Sequence, residues 1–74
     1  MPKLSPINAK ELIKILEKQG FKVVHQKGSH VRLRHVDGRS TSVPVHAAEK
    51  VGVGLLRKIL RDTNITRNEF EKFK

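Results

Sequence analysis

The sequence contains no cysteine, which excludes disulfides and thiolate metal ligands as supports for the fold. No apolar run approaches the ~18 residues of a membrane span, and no signal-peptide pattern precedes the first helical stretch. The expected location is therefore the cytoplasm, with no membrane contact. Acidic residues are scarce: seven Asp and Glu stand against sixteen Lys and Arg, a formal charge of +9. Such an imbalance calls for an anionic partner. Nucleic acid fits better than a lipid surface, which is bound by bases gathered along an amphipathic helix beside bulky apolar anchors. The bias is sharpest from Phe21 to His46, where Lys22, Lys27, Arg32, Arg34 and Arg39 face one acid, Asp37. No repeat or low-complexity linker divides the chain, so residues 1–74 are expected to form one domain. A domain this small buries only ~60% of its unfolded surface and should be sensitive to core changes.

What is present begins with an extended lead-in carrying Pro2 and Pro6. Asn8 is a good N-cap, with Glu11 three residues later completing a capping box. Ala9, Leu12, Ile13 and Leu16 then recur at helical spacing until Gly20 stops the helix, predicting it from Ala9 to Gln19. Phe21 to Gln26 reads as a strand, and Lys27-Gly28-Ser29 as a three-residue hairpin loop. Gln26 then faces His30, and Val23 faces Leu33. Phe21, Val23, Val31 and Leu33 fall on a core side; Lys22, Gln26, His30, Arg32 and Arg34 gather on the other, with Val24 an unexplained exception. Asp37-Gly38-Arg39 is expected as the next loop, so that Val43 and Val45 face Leu33 and Val31. Pro44 cannot donate a ladder hydrogen bond, which makes this third strand an edge. His46 to Gly54 reads as a loop. A second helix is expected from about Leu55 to Thr63, with Leu56, Ile59 and Leu60 buried. Thr66-Arg67-Asn68-Glu69 is a capping box opening a short last helix that carries Phe70 and Phe73. The expected fold is α+β, in the order α-β-β-β-α, with a three-stranded antiparallel sheet, helices on one sheet face and a short C-terminal helix.

The chemistry concentrates on Gln26 to Arg34. Alternation places Val31 and Leu33 on one face and His30, Arg32 and Arg34 on the other. Arginines grip phosphate through a rigid fork of donors, and a histidine exchanges protons near neutrality. RNA contains its own nucleophile, the 2′-hydroxyl. Cleaving it needs only proton transfer, which a histidine can perform, and charge stabilisation, which neighbouring arginines supply. The other reading of His30 is an exposed strand residue with no chemistry, and from the residues alone both stay open. The spacing of the four histidines argues against a metal: His30 and His35 lie on opposite faces, and His25 shares a face with His35 but sits at the other end of the hairpin. Ser29 and His30 are neighbours whose side chains diverge, so no Ser–His–Asp site forms. Gly28-Ser29 reads instead as a turn whose backbone N–H groups can meet phosphate. Gly52 and Gly54 lack the Gly-Lys-Ser/Thr of a phosphate loop.

Gln26-Lys27-Gly28-Ser29-His30-Val31-Arg32-Leu33-Arg34, followed by Val43-Pro44-Val45-His46 and Leu56-Arg57-Lys58-Ile59-Leu60-Arg61, resembles a HicA-type toxin. The opening helix, with Lys10-Glu11-Leu12-Ile13-Lys14 and then Gly20-Phe21, is similar too. The resemblance implies a double-stranded-RNA-binding-like fold, an mRNA endonuclease, a HicB-type antitoxin as partner, and catalysis by the histidine matching His30. The expected function is that of a metal-independent, cofactor-free endoribonuclease toxin. Lys22, Lys27, Arg32 and Arg34 would bind RNA phosphate, and Gly28 and Ser29 would bring a turn backbone close to it. The alternative is a non-catalytic RNA-binding module of the same fold. In the expected register His30 lies opposite His46, so His46 is a candidate second acid or base. Its other reading is a strand end that contacts the following loop.

Overall fold

The computed structural model describes residues 4–45 and 50–73. A two-residue strand, β1 (Ile7–Asn8), leads into α1 (Ala9–Lys18), and the hairpins β2 (Lys22–Lys27), β3 (His30–Arg34) and β4 (Ser40–Pro44) follow. A second two-residue strand, β5 (Lys50–Val51), precedes α2 (Val53–Thr63), and α3 (Arg67–Phe73) ends the fold. β2, β3 and β4 form an antiparallel sheet in that order, so β3 is paired on both sides and β2 and β4 are its edges. The protein is thus α+β as expected. Among the described residues no helix is long and apolar enough to cross a membrane.

Local chemistry sets the helix ends. The Asn8 side chain accepts the Lys10 backbone N–H at 2.9 Å, capping α1. Thr66 and Glu69 exchange the two bonds of a capping box, each at 3.1 Å, at the start of α3. Asn64 closes α2 in the left-handed region, at φ 56°, a conformation its short polar side chain tolerates. The segment read as one long loop instead contains β5, which pairs antiparallel with β1 through Ile7–Val51 and Asn8–Lys50. Two-residue strands are too short to leave a periodic signal. This ladder still buries Ile7 and Val51 and ties together the chain entering α1 and α2.

The core fills the space between the helices and one face of the sheet. Leu12, Leu16, Leu33, Val43 and Leu56 are wholly buried, and Phe21, Ile59 and Phe70 almost so. In α1, Ile15 is buried and Ile13 only partly, a rotation of the apolar stripe by part of a turn. Arg39 fastens the β3–β4 hairpin to this core. Its guanidinium lies 5.3 Å from the centre of the Phe21 ring, bonds Asp37 at 2.7 Å and donates to the carbonyl of Thr63 at the end of α2. Gly20, at φ 98°, passes so close to His35 that an added Cβ would stand 2.8 Å from Nε2. The His35 ring meets Phe21 edge-on at 5.2 Å.

Three expectations about the hairpins are corrected. The first turn has two residues, Gly28-Ser29, because Lys27 pairs with His30. Of the two turn residues only Gly28 has positive φ (58°), the type II′ arrangement whose twist matches the strands it joins. Val23 nevertheless remains opposite Leu33, because a β-bulge between Val23 and His25 absorbs the extra residue. Val24, the break in the alternation, is that residue. Gln26 therefore pairs with Val31 on the helix side, leaving the polar row, and Val23, on the edge strand β2, is 45% exposed rather than in the core. The second loop has three residues, as expected, but they are Val36-Asp37-Gly38, with His35 and Arg39 hydrogen-bonded across it. Gly38, at φ 100°, occupies the last loop position, where three-residue hairpins demand a left-handed residue. This slides β4 by two residues against the expected register: Val31 faces Val43, Leu33 faces Thr41, and His30 faces Pro44.

These placements predict unequal costs for two valine- and leucine-to-alanine changes in one cross-strand pair. Leu33→Ala removes a fully buried side chain and should cost about 2–5 kcal/mol, whereas Val23→Ala should stay within about 0.5 kcal/mol, like other surface changes. Urea unfolding followed by circular dichroism measures both; equal losses would contradict the placement of Val23.

Candidate nucleic-acid interface

The face of the sheet turned away from the helices is built in three rungs. Lys27, His30 and Pro44 make the first; His25, Arg32 and Ser42 the second; Lys22, Arg34 and Ser40 the third. Directly opposed Cβ atoms within a rung lie about 5 Å apart, and two residues of strand separate neighbouring rungs by ~7 Å. Lys22, His25, Lys27, His30, Arg32 and Arg34 are all exposed, and no rung contains a carboxylate. The charge of this surface is complementary to that of a polyanion.

Each expected contact can be placed on it. Lys22, Arg32 and Arg34 lie on the face as predicted, and Lys27 joins them from the strand rather than from a loop. Gly28 is exposed and Ser29 half-buried in the turn beside His30, where the Val45 N–H donates to the Ser29 carbonyl and ties the end of β4 to the turn. His30 stands on the first rung. The expected opposition of His30 and His46 is replaced by His30 and Pro44, and His46 itself lies outside the described residues.

His25 is the residue of this face that the alternation missed. Without the bulge it falls on the side of His35; with it, His25 faces Arg32 and lies diagonal to His30. The signal was Val24, an apolar residue among polar ones, which marks the position where the period of two breaks.

The one acid of the hairpin region is kept away from the rungs. The Asp37 side chain accepts the Arg39 backbone N–H at 3.0 Å and its Nε–H at 2.7 Å, and lies 3.2 Å from His35 Nδ1. The backbone bond from Arg39 is the main cause holding the Asp37 carboxyl below its ordinary range, with the Arg39 side chain and His35 adding to it. Its charge is therefore directed to the loop, away from the basic rungs. Among the described residues, no three His, Cys, Asp or Glu side chains gather in a way that could hold a metal ion.

Fold and face together define a small basic α+β protein with an open, cation-lined sheet. The family model for the HicA toxin of bacterial toxin–antitoxin systems matches residues 9–65, a span that takes in both main helices, the bulge and all three rungs. The chain belongs to this family: it is a HicA-type toxin, and the family implies an antitoxin partner. No curated protein matches the chain.

If Lys22, Lys27, Arg32 and Arg34 each contact a phosphate of single-stranded RNA, log K should fall against log salt with a slope of about −3. Replacing Arg32 and Arg34 together by alanine should flatten that slope by about 1.4. Fluorescence anisotropy across a salt series reads both values, and a parent slope near zero would exclude this face as the RNA site.

Proposed function

We propose that this toxin is an endoribonuclease that cleaves mRNA on the open sheet face, with His30 transferring the proton and no metal or cofactor in the reaction. The observation that carries the proposal is the first two rungs, an exposed imidazole within one strand repeat of Arg32 and directly opposite Lys27. RNA supplies the nucleophile. His30 takes the proton of a 2′-hydroxyl, the 2′-oxygen bonds to phosphorus, and the bond to the 5′-oxygen breaks as that oxygen gains a proton. Lys27 and Arg32 stabilise the added charge on the phosphoryl oxygens. Lys22 and Arg34 hold the strand further along, and Gly28 and Ser29 let the backbone approach it closely.

The leaving oxygen needs a proton donor, and His25 is the placed candidate. Diagonal positions across neighbouring strands are about 7–8 Å apart at most, so the rings of His25 and His30 can flank one phosphate. A HicB-type antitoxin would neutralise the toxin by covering these rungs with carboxylates of its own. A non-catalytic RNA-binding module of the same fold would bind identically and leave RNA intact.

Cleavage kinetics on a defined RNA separate these ideas. His30→Ala should abolish cutting while leaving the fold and RNA affinity largely unchanged, because the side chain is exposed. His25→Ala should slow cutting on the order of 10²-fold. A loss of that size in His46→Ala, with none in His25→Ala, would transfer the donor role to His46. Cutting by His30→Ala at the parent rate would defeat the enzymatic reading.

A further inference from the structure

Beyond the rungs, the sheet face continues into a groove of about 210 Å³ where α2 packs along β4. Its walls are Arg32, Ser40 and Ser42 from the sheet and Leu55, Lys58 and Asp62 from α2, with Thr41 and Ile59 beneath. The groove opens on the second and third rungs, so it begins about one strand repeat, ~7 Å, from His30.

Two features of this groove are those of a ligand site. It pairs cations, Arg32 and Lys58, with hydroxyls, Ser40 and Ser42, and with an apolar side, Leu55. Asp62 places a carboxylate in an otherwise basic surface, and no described cation approaches within ion-pair distance of it. Lys58 and Asp62 are four apart on one helix, but in the order with the base N-terminal, the weaker orientation for such a pair.

We propose that this groove is a base-reading subsite for one unpaired nucleotide of the RNA next to the scissile phosphate, and that Asp62 selects guanine. The inference rests on the RNA-cleaving function proposed above and adds its specificity. Lys58 and Arg32 hold the phosphate of that nucleotide, the serine hydroxyls meet its ribose, and Leu55 lies against the flat of its base. A carboxylate only accepts hydrogen bonds, and both its oxygens can do so side by side. Guanine presents two adjacent donors, N1–H and the 2-amino group, on its Watson–Crick edge. Uracil, adenine and cytosine each present only one donor there, always beside an acceptor, and an acceptor facing Asp62 is repelled. That edge is free only in unpaired RNA, where sequence-specific recognition operates.

The test uses the full chain carrying His30→Ala, so that RNA survives, and short single-stranded uridine oligonucleotides with or without one guanosine. The guanosine oligonucleotide should bind about 10-fold tighter, as one bidentate pair to a base implies. Adding Asp62→Asn should erase that ratio while leaving the affinity for oligouridine within about two-fold. Adding Lys58→Gln should weaken both RNAs alike. Both side chains are exposed, so the fold should survive each change. Equal affinity for the two RNAs, or a guanosine ratio that persists in Asp62→Asn, would overturn the subsite. Base-selective, Asp62-dependent binding by a parent protein that never cuts RNA would uphold the subsite and defeat the nuclease reading. Cutting with no Asp62-dependent preference would do the reverse.

Discussion

The constraint on which the structure depends is the central position of β3. It is the strand of the three-stranded sheet hydrogen-bonded on both sides, and its alternation assigns Val31 and Leu33 to the core and His30, Arg32 and Arg34 to the open face. Neither face could be changed independently. A one-residue slip would drive two arginines into the apolar core, and desolvating unpaired charges costs far more than the core gains. The burial that stabilises the sheet is thus the same constraint that arrays the cations.

Each neighbour of β3 adjusts to it. On one side the tight Gly28-Ser29 turn shifts the pairing by one residue, and the bulge at Val24 shifts it back. Between those two points the strand runs with its faces exchanged, which turns His25 and Lys27 toward the open side. On the other side Gly38 fixes the loop, and Arg39 anchors it to Phe21, Asp37 and the end of α2. Arg39 thereby removes the hairpin's one acid from the basic surface while joining hairpin to helix. The basic face follows from both adjustments: one completes the rungs, and the other keeps Asp37 away from them.

Much of this was legible in the residues, for identifiable reasons. The helix caps at Asn8 and Thr66, the stop at Gly20 and the faces of β3 follow from local rules that tertiary contacts reinforce. The register of β4 was not legible, because sliding by two residues preserves parity. Alternation cannot distinguish Val45 opposite Val31 from Val43 there, and a preference for valine over threonine selects the wrong one. The conformational demand at Gly38 decides it, at the cost of burying Thr41 with its hydroxyl unpartnered. Likewise alternation alone puts His25 on the wrong face, because a bulge has no periodic signature, only the break at Val24. The groove under α2 involves residues distant in sequence, Arg32, Ser42 and Asp62, whose proximity no local pattern encodes.

The most direct measurement is the chemistry of the RNA ends left by the purified chain in excess chelator. Attack by the RNA's own 2′-hydroxyl, driven by His30, predicts fragments ending in a 2′,3′-cyclic phosphate and beginning with a 5′-hydroxyl, with none formed by His30→Ala. Intact RNA, or fragments that begin with a 5′-phosphate, would contradict this account.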